Sequence, residues 1–105
     1  MSVQVAFLMR LRPGFAEEYR RRHDAIWPEL VDLLRAAGVS GYSIFHDPET
    51  DALFAVLRRR DAAAVEALKD APMMRRWWAM MADIMETHPD GEPVTRPLVP
   101  MFRLG

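Results

Sequence analysis

Tyr19 and His23 stand four residues apart in a stretch with helical character, so a phenol and an imidazole share one face, within reach of a single small ligand. Histidine, with an unperturbed pKa of about 6.5, has both protonation forms available near neutral pH, which is what a general acid/base group needs. Trp27, Tyr42 and the adjacent pair Trp77-Trp78 add aromatic faces with hydrogen-bonding tips. Such a set suits a neutral sugar: the axial C–H faces of a pyranose stack on rings, while its hydroxyls bond to Tyr O–H and Trp N–H. Each residue also has a plainer reading. A lone His at a helix end is most often solvated or structurally bonded, and Tyr at this spacing is commonly half-buried core. Adjacent helical residues sit about 100° apart, so at least one ring of the Trp pair is expected in the core.

Other constellations fail. Asp47, Glu49 and Asp51 imitate the opening of a calcium loop, but Ala52 stands where the sharp turn needs Gly, and the run continues as a strand. His23, His46 and His88 lack any metal-ligand spacing, so no metal and no other cofactor is expected. Arg20-Arg21-Arg22 and Arg58-Arg59-Arg60 are flanked by acidic residues and read as solvated helix and strand ends. No glycine-rich phosphate loop, G-x-S-x-G or Cys-His pair is present, which argues against nucleotide binding and acyl-enzyme chemistry.

The elements that must position these residues follow from periodicity. Val3, Val5, Phe7, Met9 and Leu11 alternate with Gln4, Ala6, Leu8 and Arg10, the period of a strand with one buried face. Pro13-Gly14 break it, and a helix is expected from about Phe15 to His23 or Asp24, with Glu17 and Glu18 in its first turn. Pro28 forbids continuation and suits the first turn of a new helix, so a kink is expected near Asp24 to Trp27. Leu30, Val31, Leu33, Leu34 and Ala37 form the buried stripe of that second segment, which Gly38 closes. Tyr42 to His46 and Ala52 to Arg58 read as a hairpin, and the unbroken run Leu53-Phe54-Ala55-Val56-Leu57 predicts apolar surroundings on both faces. Asp61 caps a helix through Leu68, and a further helix carries Met74, Trp77, Trp78, Met81 and Met85 on one stripe to about Glu86. Val94 to Leu104 supplies a last extended segment, confined to an edge by Pro97 and Pro100.

Strand, helix, two strands, helix, strand is the split βαβ order of ferredoxin-like α+β folds, with helices on one face of an antiparallel sheet. One domain over residues 1–105 is expected. Half of the residues are hydrophobic, including three Trp, five Phe and eight Met, more apolar material than one small core readily hides. The bare sheet face is therefore expected to pair with a second copy as a homodimer. A net charge of −1 argues against nucleic acid and anionic membranes as partners. The absence of cysteine, of a signal-like N-terminus and of a long apolar run leads to the expectation of a soluble cytoplasmic protein.

Glu17-Glu18-Tyr19-Arg20-Arg21-Arg22-His23, then Ile26-Trp27-Pro28-Glu29-Leu30, and later Arg76-Trp77-Trp78 resemble the L-rhamnose mutarotase family, and the spacing between the blocks matches as well. The resemblance runs from Ala6-Phe7 through Leu53-Phe54-Ala55 to His88-Pro89-Asp90. It implies a dimeric α/β barrel of ferredoxin-like subunits, with His23 as the proton donor and Tyr19, Tyr42, Trp77 and Trp78 binding the sugar. It implies an isomerase that interconverts the anomers of L-rhamnopyranose by ring opening and reclosure. On that reading His23 donates to the ring oxygen and recovers the proton on closure, with Tyr19 orienting it or the anomeric hydroxyl. Two rivals remain on sequence grounds: a non-catalytic sugar-binding or interaction module, and a haem-binding or cofactor-free monooxygenase on the same scaffold.

Overall fold

The alternation at the N-terminus produces β1 (Val3–Arg10), which turns Val5, Phe7 and Met9 to one face and Ala6, Leu8 and Arg10 to the other. The structure, a computed structural model, describes residues 2–105, and Met1 lies outside the described residues. β3 (Ala52–Arg59) pairs with β1 along its whole length, from Val3 opposite Arg59 to Arg10 opposite Ala52. β2 (Val39–His46) lies on the far side of β3, and β4 (Arg96–Pro97) adds two residues to the free edge of β1. All pairs are antiparallel and the order is β2-β3-β1-β4, the ferredoxin-like α+β topology anticipated from the element order. Leu53, Ala55 and Leu57 are buried on one face, while Phe54 and its cross-strand neighbour Phe45 are 41 % and 63 % exposed on the other.

The helices cover the first face. α1 (Ala16–Asp24) carries Glu17 and Glu18 in its first turn, where carboxylates complement the helix dipole. It stops because Pro28 has no N–H to give the Asp24 carbonyl; Ile26 N–H turns back to the His23 carbonyl at 3.1 Å instead. Trp27 is extended, as a residue before proline prefers, and Pro28 opens α2 (Pro28–Ala36). α3 (Ala62–Glu66) is capped by Asp61, whose Oδ1 accepts from the Ala63 and Ala64 amides, and runs into a 3-10 turn over Ala67–Asp70.

Two expectations change. α4 (Pro72–Met81) ends well before Glu86, because the chain leaves it to lie against the end of β1. Arg12 N–H donates to the Ile84 carbonyl and Glu86 N–H to the Arg10 carbonyl, so Ile84 is buried from a turn and Met85 from a bridge to Leu11 rather than from a helical stripe. The segment expected as a last strand over 94–104 pairs only at Arg96–Pro97; beyond it Val99, Met101, Phe102 and Leu104 are exposed.

The third difference is in β2, which begins at Val39 and contains a bulge. The register slips between Ser40, opposite Arg58, and Ser43, opposite Val56, so Gly41 and Tyr42 together oppose Leu57. Strict alternation from the buried Val39 would turn Tyr42 to the bare face; the extra residue turns it to the helix side with Ile44. Gly41 makes this possible with a φ of 54°, a left-handed conformation that costs an L-residue about 1–2 kcal/mol. Gly41→Ala meets no close contact, its nearest neighbours being Arg58 carbons at 4.0 Å. The variant is therefore expected to lose roughly 1–2 kcal/mol in a urea unfolding titration, from backbone strain alone.

Candidate active site

His23 sits in the last turn of α1, and Tyr19 one turn earlier on the same face. The His23 ring lies over the Tyr19 ring with centroids 4.3 Å apart and planes at 29°. Its Nδ1 is 3.0 Å from the Tyr19 carbonyl oxygen. A carbonyl only accepts, so Nδ1 carries the proton and Nε2 is the nitrogen left for chemistry. Trp77 of α4 meets the His23 ring edge-on at 5.4 Å, and Trp27 from the kink meets Trp77 edge-on at 5.1 Å. Tyr19, His23, Trp77 and Trp27 thus form one continuous aromatic chain across three helices.

The Tyr19, His23 and Trp77 rings line a cleft of about 1110 Å³ between the sheet and the helices, and Tyr42 and Trp78 line it too, while Trp27 stands behind Trp77. The structure therefore brings Tyr19, His23, Tyr42, Trp77 and Trp78 to one cavity, and leaves Trp27, also singled out in the sequence, outside its lining. They are not equivalent. Trp77 is 6 % exposed and belongs to the core, with its edges against His23 and Trp27. Trp78 packs only partly against that core, and the Arg75 guanidinium lies 5.9 Å from its ring. Tyr42 is 40 % exposed as a residue, yet its phenol is close enough to Tyr19 to oppose ionisation of the Tyr19 hydroxyl.

The electrostatics assign distinct capacities. Burial pushes the Tyr19 phenol far above its ordinary value, with Tyr42 adding to the effect, and burial pushes Tyr42 up to about 12. Both stay neutral and act as hydrogen-bond donors. Burial lowers the His23 pKa below 6.5 in spite of its bond to the Tyr19 carbonyl and the nearby Asp24, so neutral imidazole predominates at neutral pH. Among the described residues, no group of three or more His, Cys, Asp or Glu side chains is placed to hold a metal ion.

Sequence reasoning missed one member of this region. Arg22, expected at a solvated helix end, has a side chain only 15 % exposed, with its guanidinium between Glu18 and Asp83. Spacing identifies its partner four residues back, but Asp83 is 61 residues away and invisible to local pattern.

Aromatic walls, two neutral phenols and one titratable nitrogen suit a neutral, hydroxyl-bearing ligand such as a sugar. The sequence profile of L-rhamnose mutarotase matches residues 4–104. An L-rhamnose mutarotase of Jannaschia sp. is 62 % identical over 99 residues, covering 94 % of this chain and 95 % of the relative. One of Burkholderia orbicola is 61 % identical over 100 residues, covering 95 % and 96 %. The crystal structure of an L-rhamnose mutarotase from Formosa agariphila superposes with a TM-score of 0.91 at 42 % identity, covering 98 % of this chain and 99 % of that one. The chain belongs to the L-rhamnose mutarotase family, and so to the isomerases that interconvert sugar anomers.

The different settings of the two tryptophans separate their substitutions. Trp77→Ala empties a core position and is expected to cost about 3–5 kcal/mol in chemical denaturation. Trp78→Ala is expected to cost clearly less stability while raising KM for the sugar several-fold.

Proposed function

We propose that this protein interconverts the α and β anomers of L-rhamnopyranose, with neutral His23 as the single acid/base group and Tyr19, Tyr42, Trp77 and Trp78 as the sugar-binding residues. The family supplies the reaction, and the bond from His23 Nδ1 to the Tyr19 carbonyl carries the assignment of the residue, because it fixes which nitrogen faces the ligand. Nε2 takes the proton from the anomeric hydroxyl O1. As O1 becomes a carbonyl oxygen, the bond from C1 to the ring oxygen O5 breaks, and the imidazolium returns the same proton to O5. Both oxygens are bonded to C1, so one nitrogen reaches each in turn. Rotation about C1–C2 presents the other face of the aldehyde, and closure reverses the steps: O5 gives up its proton, attacks C1, and O1 is reprotonated. Tyr19 and Tyr42, held neutral by burial, donate hydrogen bonds to the sugar oxygens during the turn. The open aldehyde forms unaided in water, so a single positioned group contributing roughly 10²–10⁴-fold is sufficient.

The whole chain acts in this reading as one domain, in the cytoplasm, and as a homodimer that covers the bare sheet face. Phe45 and Phe54 on that face, and the apolar side chains of 99–104, are the surface that a second copy would cover. No helix among the described residues is long and apolar enough to cross a membrane. Phe45→Asp is expected to shift the protein from dimer to monomer in sedimentation equilibrium; wild-type protein that is monomeric at micromolar concentration would remove the dimer from this reading.

Catalysis is tested by saturation transfer between the two anomeric protons of equilibrated L-rhamnose. Wild-type protein is expected to transfer saturation well above the spontaneous rate, and folded His23→Ala to fall near it. The pH dependence tests the protonation state. Because burial lowers the pKa of His23, the reactive neutral form persists through neutral pH and is lost as pH falls through a value under 6.5. After subtraction of the spontaneous rate, kcat/KM is expected to be flat through pH 7 and to decline only on the acid side. A decline on the alkaline side near neutrality would mean that the protonated form starts the reaction.

A further inference from the structure

Arg22 is next to His23 in sequence, yet it does not line the cleft. It sits on the adjoining face of α1, one turn after Glu18, and its guanidinium makes four hydrogen bonds. Nε donates to Glu18 Oε2 at 2.7 Å. Nη1 donates to the Met80 carbonyl and to Asp83 Oδ1, both at 2.8 Å, and Nη2 donates to Asp83 Oδ2 at 3.1 Å. The Met80 carbonyl is one of the last of α4, which have no partner within their own helix. The Asp83 fork is bidentate, a geometry that fixes direction as well as distance. Arg22 therefore binds the last turn of α1 to the C-terminal end of α4.

Those two helix segments carry the groups whose spacing defines the site. His23 follows Arg22 directly, and Trp77 lies one turn before Met80, with the two rings 5.4 Å apart. No other side-chain hydrogen bond or ion pair joins α1 to α4 among the described residues; beside the clamp they meet through apolar and aromatic packing. Arg21 and then Arg22 hold the Glu18 carboxyl down to about 2, and Arg22 lowers that of Asp83, so the clamp stays ionised across the range in which His23 titrates.

We propose that Arg22 is a positioning residue for the reaction: by joining Glu18, Asp83 and the Met80 carbonyl it fixes His23 Nε2 at the distance from Trp77 and Trp78 that a bound sugar requires. This rests on His23 being the acid/base group. Loss of the clamp leaves the sugar-binding walls largely in place but lets the end of α1 move, so the effect falls on the chemical step. A misplacement of about 1 Å costs up to about 10²-fold in rate.

The test compares Arg22→Met, Arg22→Lys and Asp83→Asn with wild type by anomer-exchange NMR over a range of L-rhamnose concentrations, well below each variant's melting temperature. Asp83 is 64 % exposed, so Asp83→Asn is expected to fold even where Arg22→Met does not. The expected result is a fall in kcat of about tenfold or more for Arg22→Met, with KM within about twofold of wild type. Arg22→Lys and Asp83→Asn should lie between, since each keeps part of the clamp. The acid limb of the pH profile should keep its midpoint, because the imidazole itself is unchanged. Variants that lose stability but keep kcat within twofold would overturn the proposal and leave a purely structural ion pair. A rise in KM with kcat unchanged would also overturn it, by placing Arg22 in substrate binding. If His23→Ala retains full activity, the underlying assignment fails; if it is inactive while all three clamp variants are fully active, only the inference about Arg22 fails.

Discussion

Pro28 cannot donate a backbone N–H, and the arrangement at the cleft depends on that one missing bond. Because α1 has to end at Asp24, His23 occupies a final helical turn instead of a helix interior, with its ring free to lie over Tyr19. The residue before a proline is held extended, so Trp27 leaves the helical path and its indole reaches Trp77. Trp77 in turn abuts His23. One backbone restriction thus sets the direction of an aromatic chain that links three helices. Substituting Pro28 by a good helix former would permit α1 and α2 to fuse and carry Trp27 away from Trp77.

Burial then differentiates the polar groups that this chain brings together. Desolvation raises the pKa of a phenol and lowers that of an imidazole, because in each case it disfavours the charged form. A single apolar cleft therefore makes both tyrosines more firmly neutral donors and His23 a more available base. No charged partner beside the imidazole is needed to tune it. Glu18, Arg22 and Asp83 meet at the adjoining face of α1, where they offset one another outside the cleft. Had Arg22 faced the ligand, its charge would have opposed formation of the imidazolium on which a two-stage proton transfer depends.

The parts of this architecture that were legible in the sequence are those written in local pattern. Alternation identifies β1, Pro28 identifies the kink, Asp61 identifies the cap of α3, and the i, i+4 spacing of Tyr19 and His23 identifies the face of α1 that lines the cleft. What escaped depends on partners distant in sequence. Tyr42 faces the cleft only because Gly41 and Tyr42 share Leu57, which is visible once β2 is set against β3. Met85 fits the apolar stripe of α4 as well as Met81 does, and only its bridge with Leu11 shows that the chain has left the helix. The order of the two tryptophans could not be read, since both suit an apolar helix face and the choice is made by Trp27 and His23. Arg22 looked like surface because helix ends usually are, and because its bidentate partner belongs to another helix end.

The bare face of the sheet connects to the same logic. In β3 the residues between the two faces alternate strictly, Leu53, Ala55 and Leu57 towards the helices and Phe54 and Val56 away from them, so any pressure on one face passes through a single strand to the floor of the cleft. β3 is an inner strand, paired along its length with β1 and, through the bulge, with β2. A second sheet laid against Phe54 and Phe45 would restrain the backbone at Leu57, which is the residue opposite the bulge that aims Tyr42. Packed interiors deform little, so restraint on one face of such a strand limits movement on the other. The apolar surface left open by a small chain and the placement of a cleft-facing tyrosine are in this way both tied to β3 rather than being two separate requirements.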